Sequence, residues 1–264
     1  MKATIKNNLM RKPLRKIAGA ALAMLMVFTL TPAMAHADTM QQGDYKVVSN
    51  YSITTDFLGN SNGIVGTVDL NQTVSTDTPQ LVEGTTDQYT GALHGSVEAA
   101  DLFEGAYQTY ETYFKGKTGL FNRPWENIVM FDDGGTFPTA QITIYFPSNF
   151  DVNEAGISVS ENSAAISSIH SDFNSGNNSV EVTINLGNWN DYKGFFALVA
   201  SERYQTGHLI NIDIPYTIDA SSVTSNELGT ITASGDCSLY KTSGLFPGRI
   251  VYVTTTPMSL IVNQ

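Results

Sequence analysis

Apolar and polar residues alternate along most of the chain in short runs separated by clusters of Gly, Asn, Asp and Pro. A period of two puts every second side chain on one face of a β-strand. The clearest runs are Thr139 to Phe146, with Ile142, Ile144 and Phe146 in phase; Ser179 to Leu186, with Val180, Val182, Ile184 and Leu186 in phase; and His208 to Ile218, with Ile210, Ile212 and Ile214 in phase. Further strands are expected over Asp44 to Asp56, Ile64 to Val74, Gly156 to Ser160, Ala165 to His170, Leu228 to Ala233, Cys237 to Lys241 and Arg249 to Val262. The first two flank Leu58-Gly-Asn-Ser-Asn-Gly63, which predicts a hairpin. Residues 76 to 95, rich in Thr, Gly and Asp around Pro79, read as loop. Pro215 removes a ladder donor and predicts an edge strand or a bulge, hence a site for strand addition by a partner.

The period changes to three and four in two places. Leu102, Phe103, Ala106, Tyr107, Tyr110, Tyr113 and Phe114 predict an amphipathic helix within 97–114, capped by Ser96 and stopped at Gly116, with its tyrosine stripe packed on a sheet. Phe195, Phe196 and Val199 predict a shorter one from Tyr192 to Ala200, capped by Asn190 or Asp191. The pattern as a whole predicts a mainly β fold. Its expected form is an antiparallel β-sandwich of immunoglobulin-like or adhesin-like type with one or two short amphipathic helices. Residues 138–264 are the expected sandwich, and residues 38–137 a hairpin and helix region of the same domain or of a second one.

The first 37 residues have a different character. Six Lys or Arg and no acid precede an apolar run from Ile17 to about Leu30, followed by Ala35-His36-Ala37. This is the form of a secretory signal peptide cleaved after Ala37, with Ala35 and Ala37 as the small residues that define the cut. The run falls short of the roughly 20 apolar residues of a spanning helix, so no stable membrane insertion is expected after cleavage. Loss of the leader leaves 8 Lys and Arg against 25 Asp and Glu, a formal charge of −17. So acidic a chain makes nucleic acid a poor partner, because phosphate binding needs clustered cations. Cys237 is the sole cysteine, which rules out an internal disulfide. Met258 to Gln264 carries no Leu-Pro-x-Thr-Gly sorting signal. The expected location is extracellular, at or near a cell surface, without a covalent sorting anchor.

Catalytic signatures are missing. Gly59-Asn-Ser-Asn-Gly63 has the Gly-x-Ser-x-Gly spacing but sits in the predicted hairpin turn and not in a strand-to-helix elbow; no His-Glu-x-x-His helix, phosphate loop or dinucleotide fingerprint occurs, and only His94, His170 and His208 follow the leader. No cofactor is expected. The leading metal candidate is calcium in the run Asp172-Phe-Asn-Ser-Gly-Asn-Asn178, where Asp172, Asn174 and Asn178 place oxygen atoms as calcium loops do; the same residues are ordinary hairpin vocabulary, and Asp132-Asp-Gly-Gly135 is a weaker candidate. Trp125, Trp189 and Tyr192, set beside Asn and Asp, are candidate sugar-stacking rings, with a core role as the alternative.

The succession Ile-Thr-Ile-Tyr-Phe-Pro147, Asn-Ser-Val-Glu-Val-Thr-Ile-Asn185, Ile-Asn-Ile-Asp-Ile-Pro-Tyr-Thr217 and Leu-Gly-Thr-Ile-Thr-Ala-Ser-Gly235 resembles β-sandwich domains of Gram-positive surface adhesins and pilins. The likeness covers residues 141 to 241 and lies in strand style and spacing. It implies searching for a Lys to Asn isopeptide bond between a first and a last strand. Lys46 and Asn263 are the pair to test, with Glu181 or Asp213 as the assisting acid. The expected function is a noncatalytic adhesin-like binding or structural module whose partner is an extracellular protein or glycan. A carbohydrate-binding module and a secreted polymer hydrolase are the alternatives.

Overall fold

The run of in-phase isoleucines at 210, 212, 214 and 218 becomes the spine of one sheet, and the run at 180, 182, 184 and 186 lies in the other. The computed structural model describes residues 45–118, 125–187, 191–241 and 248–264. The expected leader with Ala35 and Ala37, and also Trp189, lie outside the described residues. In chain order the elements are β1 (Val48–Thr55), β2 (Ser61–Asp69), β3 (Val74–Thr76), β4 (Gln80–Leu81), β5 (Gln88–Glu98), α1 (Ala99–Tyr113), β6 (Thr139–Tyr145), β7 (Phe150–Val152), β8 (Ser158–Glu161), β9 (Ile166–Asn174), β10 (Ser179–Leu186), α2 (Tyr192–Glu202), β11 (Leu209–Asp219), β12 (Glu227–Tyr240), β13 (Arg249–Thr255) and β14 (Met258–Asn263). The fold is mainly β, as the alternation predicts.

The larger sheet has the order β1-β2-β13-β12-β6-β10-β9, with β14 also on β12. Strands β13 and β14 lie one after the other along β12, both antiparallel to it, with Thr256 and Pro257 between them. A proline cannot donate to the ladder, which accounts for the break. Strand β13 pairs with β2 in parallel, Ile64 opposite Val251 and Val68 opposite Thr255. This pair departs from the all-antiparallel expectation, and the long chain between the two strands gives the room that a parallel connection requires. The smaller sheet runs β3-β5-β11-β7, with β4 on β5 and β8 on β11. Buried residues of both sheets and both helices form one continuous core.

These expectations are corrected here. Residues 88–95, expected as loop, and 96–98, expected as the cap and start of the helix, form the strand β5, and Pro215 sits in the middle strand of its sheet rather than at an edge. The missing donor of Pro215 is tolerated because the neighbouring strand line is interrupted at that level. Strand β8 covers residues 210–213 of β11, β7 covers 216–218, and between them Asn153 donates its backbone N–H to the Pro215 carbonyl. The proline therefore offers no free edge to a partner strand.

Helix α1 begins directly at the end of β5. Ser96 stays in the strand and donates to Asn211 Oδ1, so it caps nothing; the first helical N–H, that of Ala99, donates to the His208 carbonyl instead. Asp101 in the first turn accepts the backbone N–H groups of Lys46 and Val47 at 2.6 and 2.9 Å, which ties the segment before β1 to the helix. Burial raises the Asp101 carboxyl above the usual carboxylate range, against the pull of those two bonds. The tyrosine stripe packs mainly on the second helix. Tyr110 stacks on Phe196 at 4.4 Å and 13°, and Tyr107 meets the same ring edge-on at 6.3 Å. Helix α2 starts as expected, with Asp191 Oδ1 accepting the Gly194 N–H.

Gly105 shows how closely β1 lies on α1. A Cβ at this position would stand 2.5 Å from Ser49 Oγ and 2.6 Å from Tyr51 Cδ2. Alanine is the better helix former by about 1 kcal/mol, yet overpacking costs about 1–3 kcal/mol. Gly105→Ala should therefore lower stability, read as a reduced urea midpoint with unchanged slope; a raised midpoint would show that β1 yields freely.

Candidate functional site

On β5 the inward positions are Leu93, Gly95 and Val97, so His94 and Ser96 point away from the core. On β11 the isoleucines point inward, which turns Asn211 and Asp213 outward. The register then aligns Ser75 of β3, His94, Asp213 and Ser158 of β8 in one row across the outer face of the smaller sheet. The next row holds Ser96, Asn211 and Ser160. Ser96 Oγ donates to Asn211 Oδ1 at 2.8 Å, and His94 Nδ1 lies 2.6 Å from Asp213 Oδ1. The other ring nitrogen, Nε2, lies 3.1 Å from Oδ1 of Asp77, in the loop after β3. The result is a small polar array, fixed by cross-strand bonds and open to solvent.

Both carboxylates only accept, so both ring nitrogens must donate to satisfy the pair. That state is the imidazolium. The hydrogen bond to Asp213 raises the His94 pKa above the ordinary histidine value, the bond to Asp77 adds to it, and desolvation opposes. A group whose pKa is raised on folding stabilises the fold fully below its unfolded pKa, near 6.5, and the gain is lost as pH rises through the folded value. The thermal midpoint should thus fall between pH 6 and pH 8.5 by an amount that His94→Gln abolishes; identical pH profiles for the two proteins would show that the clamp carries no linkage.

Ser, His and Asp in one row are the residue types of a nucleophilic triad, but the bonding is that of a clamp. The imidazole nitrogen that would have to take a serine proton is held by Asp77, so Ser75 has no base. Among the described residues, no group of three His, Cys, Asp or Glu side chains is placed to hold a metal ion. No described helix is long and apolar enough to cross a membrane.

The residues singled out from sequence fall at scattered places. Lys46 precedes the edge strand β1 with its side chain exposed, and Asn263 ends β14 opposite Glu227. Strand β2 lies between their two strand lines. Glu181 is exposed on β10 next to Gln141, and Asp213 belongs to the other sheet. The structure does not bring the four together. Asp172 and Asn174 end β9 and Asn178 follows its turn: Asn174 Oδ1 accepts the Gly176 N–H, while Asn178 Nδ2 donates to the carbonyls of Pro147 and Phe150, each at 2.9 Å. Asn178 thus works as a donor that ties the turn to the β6–β7 connection. Trp125 and Tyr192 are buried, packed on each other and on Phe114, and the Tyr192 hydroxyl donates to the Ile250 carbonyl. Neither presents a ring face to a sugar in solution, which corrects their reading as stacking residues. Cys237 lies on the inner side of β12, and burial pushes its thiol up to about 12, with Asp132 and Asp236 adding to the shift. At neutral pH it holds almost no thiolate.

Asp77 and His94 both fall in the stretch 76–95 that reads as loop, so the sequence does not single them out as a site. The alternation of Tyr89, Gly91, Leu93, Gly95 and Val97 was the available signal, diluted by its two glycines.

No family model and no curated protein matches the chain. Solved structures to which it is similar include the collagen-binding subdomain of the Enterococcus faecalis surface protein ACE, at 9% identity over 73% of this chain and 97% of that one, TM-score 0.29. A second is a C-terminal fragment of the major pilin GBS80 of Streptococcus agalactiae, at 9% identity over 72% of this chain and 55% of that one, TM-score 0.32. A third is AvmM, described as catalysing macrocyclisation in alchivemycin A biosynthesis, at 10% identity over 81% and 96%, TM-score 0.20. Similarity at this level does not extend to an activity.

Proposed function

We propose that the protein is a secreted, noncatalytic module of adhesin-like or structural type that engages an extracellular protein or glycan through the outer face of its smaller sheet. One observation carries the reading: apart from Asp77, the polar array centred on His94 stands on paired strands, with donors and acceptors held in register by cross-strand bonds. A flat, preordered polar face loses little conformational freedom on binding. The leader and the absence of catalytic signatures in the sequence support the same reading. Glycan recognition through Trp125 and Tyr192 has no support, since both are interior; a glycan partner would have to be read by hydroxyls, amides and carboxylates of the array.

The test is a binding screen of the mature protein against immobilised extracellular-matrix proteins and a glycan array, run beside a Ser96→Arg/Asn211→Arg variant. Both substitutions place bulk on the outer face, and opposed like charges in place of the Ser96–Asn211 bond lower the thermal midpoint modestly, while the circular dichroism should hold and binding should drop at least tenfold. A hit that the variant retains in full would move the site elsewhere, and a screen without hits would end the binding-module reading.

A further inference from the structure

The space between the sheets is not filled by side chains. A cavity of about 190 Å³ lies among Leu93 and Val97 of β5, Phe103 of α1, Ile142 of β6, Ile212 of β11 and Cys237 of β12. Asp236, the one charged residue on its border, is itself exposed and accepts from Ser238 Oγ on the opposite face of β12. Cores rarely contain voids larger than a water molecule, and a void of this size deprives its walls of dispersion contacts.

A second observation points to the same place. Val97, Phe103, Ile142, Ile212 and Cys237 face inward, yet each keeps accessible surface, whereas their neighbours Leu93, Ile144, Ile210 and Leu239 keep almost none. Burial raises the Cys237 thiol pKa although the residue is partly accessible. Both facts hold together when the accessible surface faces an internal space rather than bulk water.

We propose that this cavity is a binding site for an uncharged hydrocarbon group about the size of one aromatic ring, supplied by a free ring compound or by the end of a short acyl chain. The size fits, since an apolar cavity of roughly 150 Å³ stays dry and holds a benzene molecule. The lining fixes the charge of the ligand, because an ionic group would lose its hydration there and find no partner. The site lies between the sheets, on the side of β5 opposite the His94 array.

The test titrates the full mature chain with toluene and, separately, with 1-hexanol, following the thermal midpoint and the methyl NMR signals of the cavity wall. A saturable rise in midpoint with shifts confined to the lining methyls is expected. A response to toluene alone assigns a ring, and a response to hexanol alone assigns a chain. Cys237→Met and Ala106→Leu, which fill the cavity from the β12 and α1 sides, should each weaken binding at least tenfold while keeping the wild-type circular dichroism. If one variant fails to fold, the other decides. No saturable response to either probe, or undiminished binding by the filled variants, overturns the proposal.

Discussion

Arg203→Ala should destabilise the protein by about 3–5 kcal/mol, the cost of breaking a buried ion pair from one side. Arg203 follows α2 and reaches back to α1, where its Nε and Nη2 donate to the two oxygens of Glu104 at 2.8 and 2.5 Å. The Glu104 side chain is 7% exposed and that of Arg203 20%, so this is a two-pronged bond largely withdrawn from water. Tyr107 lies under the guanidinium at 4.4 Å, and Glu111 stands 3.9 Å from Nη1. Removing the arginine leaves the Glu104 carboxylate buried, with Gln108 Nε2 as its remaining side-chain donor among the described residues. Replacing both partners by apolar side chains, Glu104→Leu with Arg203→Met, should cost much less, because no charge is stranded. Chemical denaturation of the two variants measures the difference. A loss below about 1 kcal/mol for Arg203→Ala would place the pair with solvated surface bridges.

Tyr192→Ala carries the other large cost, about 3–5 kcal/mol, in the range found for removing a buried aromatic ring. Its ring is completely buried and lies 5.5 Å from Phe114, 5.9 Å from Phe196, and 6.4 Å from both Trp125 and Tyr110, centroid to centroid. Its hydroxyl also donates to the Ile250 carbonyl at 2.8 Å, linking the first turn of α2 to β13. Tyr192→Phe keeps the packing and removes only that bond, so it should cost about 1 kcal/mol. Comparing the two by thermal and urea unfolding separates ring from hydroxyl. Equal losses would mean that the hydroxyl dominates and that the ring cluster is looser than its spacing indicates.

The strands that the sequence makes legible are those whose buried face is built from large residues. Strand β10 carries Val180, Val182, Ile184 and Leu186, and its bounds coincide with the expected ones. Strand β5 is hidden because two of its inward positions are glycines. Gly91 lies against the Tyr216 ring, where a Cβ would stand 3.1 Å from the nearest ring atoms, so its small size answers a residue far away in sequence. Periodicity sees only local neighbours, and it reads such a position as loop. Pro215 misleads for the same reason, since the break in the strand beside it is set by where β7 and β8 end.

The outer array was hidden with β5. Asp213 stood out as an acid in an alternating strand, but its partner His94 lies opposite it on a strand that was not recognised. Trp125 and Tyr192 show the converse. Their loop-like sequence settings suggested exposure, whereas helix α2 and the turn at Trp125–Asn127 fold them into the core.

The parallel pairing of β2 with β13 has a kinetic side. The β1–β2 hairpin closes over a short turn and can form early, but it joins the larger sheet only through β13, which comes after β12 in the chain. Ile64 must wait for Val251, and contacts so distant in sequence are formed slowly because the entropy of closing the loop is lost before the pairing repays it. Until β13 arrives the sheet is split, with unpaired edges on β2 and on part of β12. A chain with this order of assembly keeps the hairpin and the rest of the sheet apart until β13 joins them, and β14 then covers the remainder of the β12 edge.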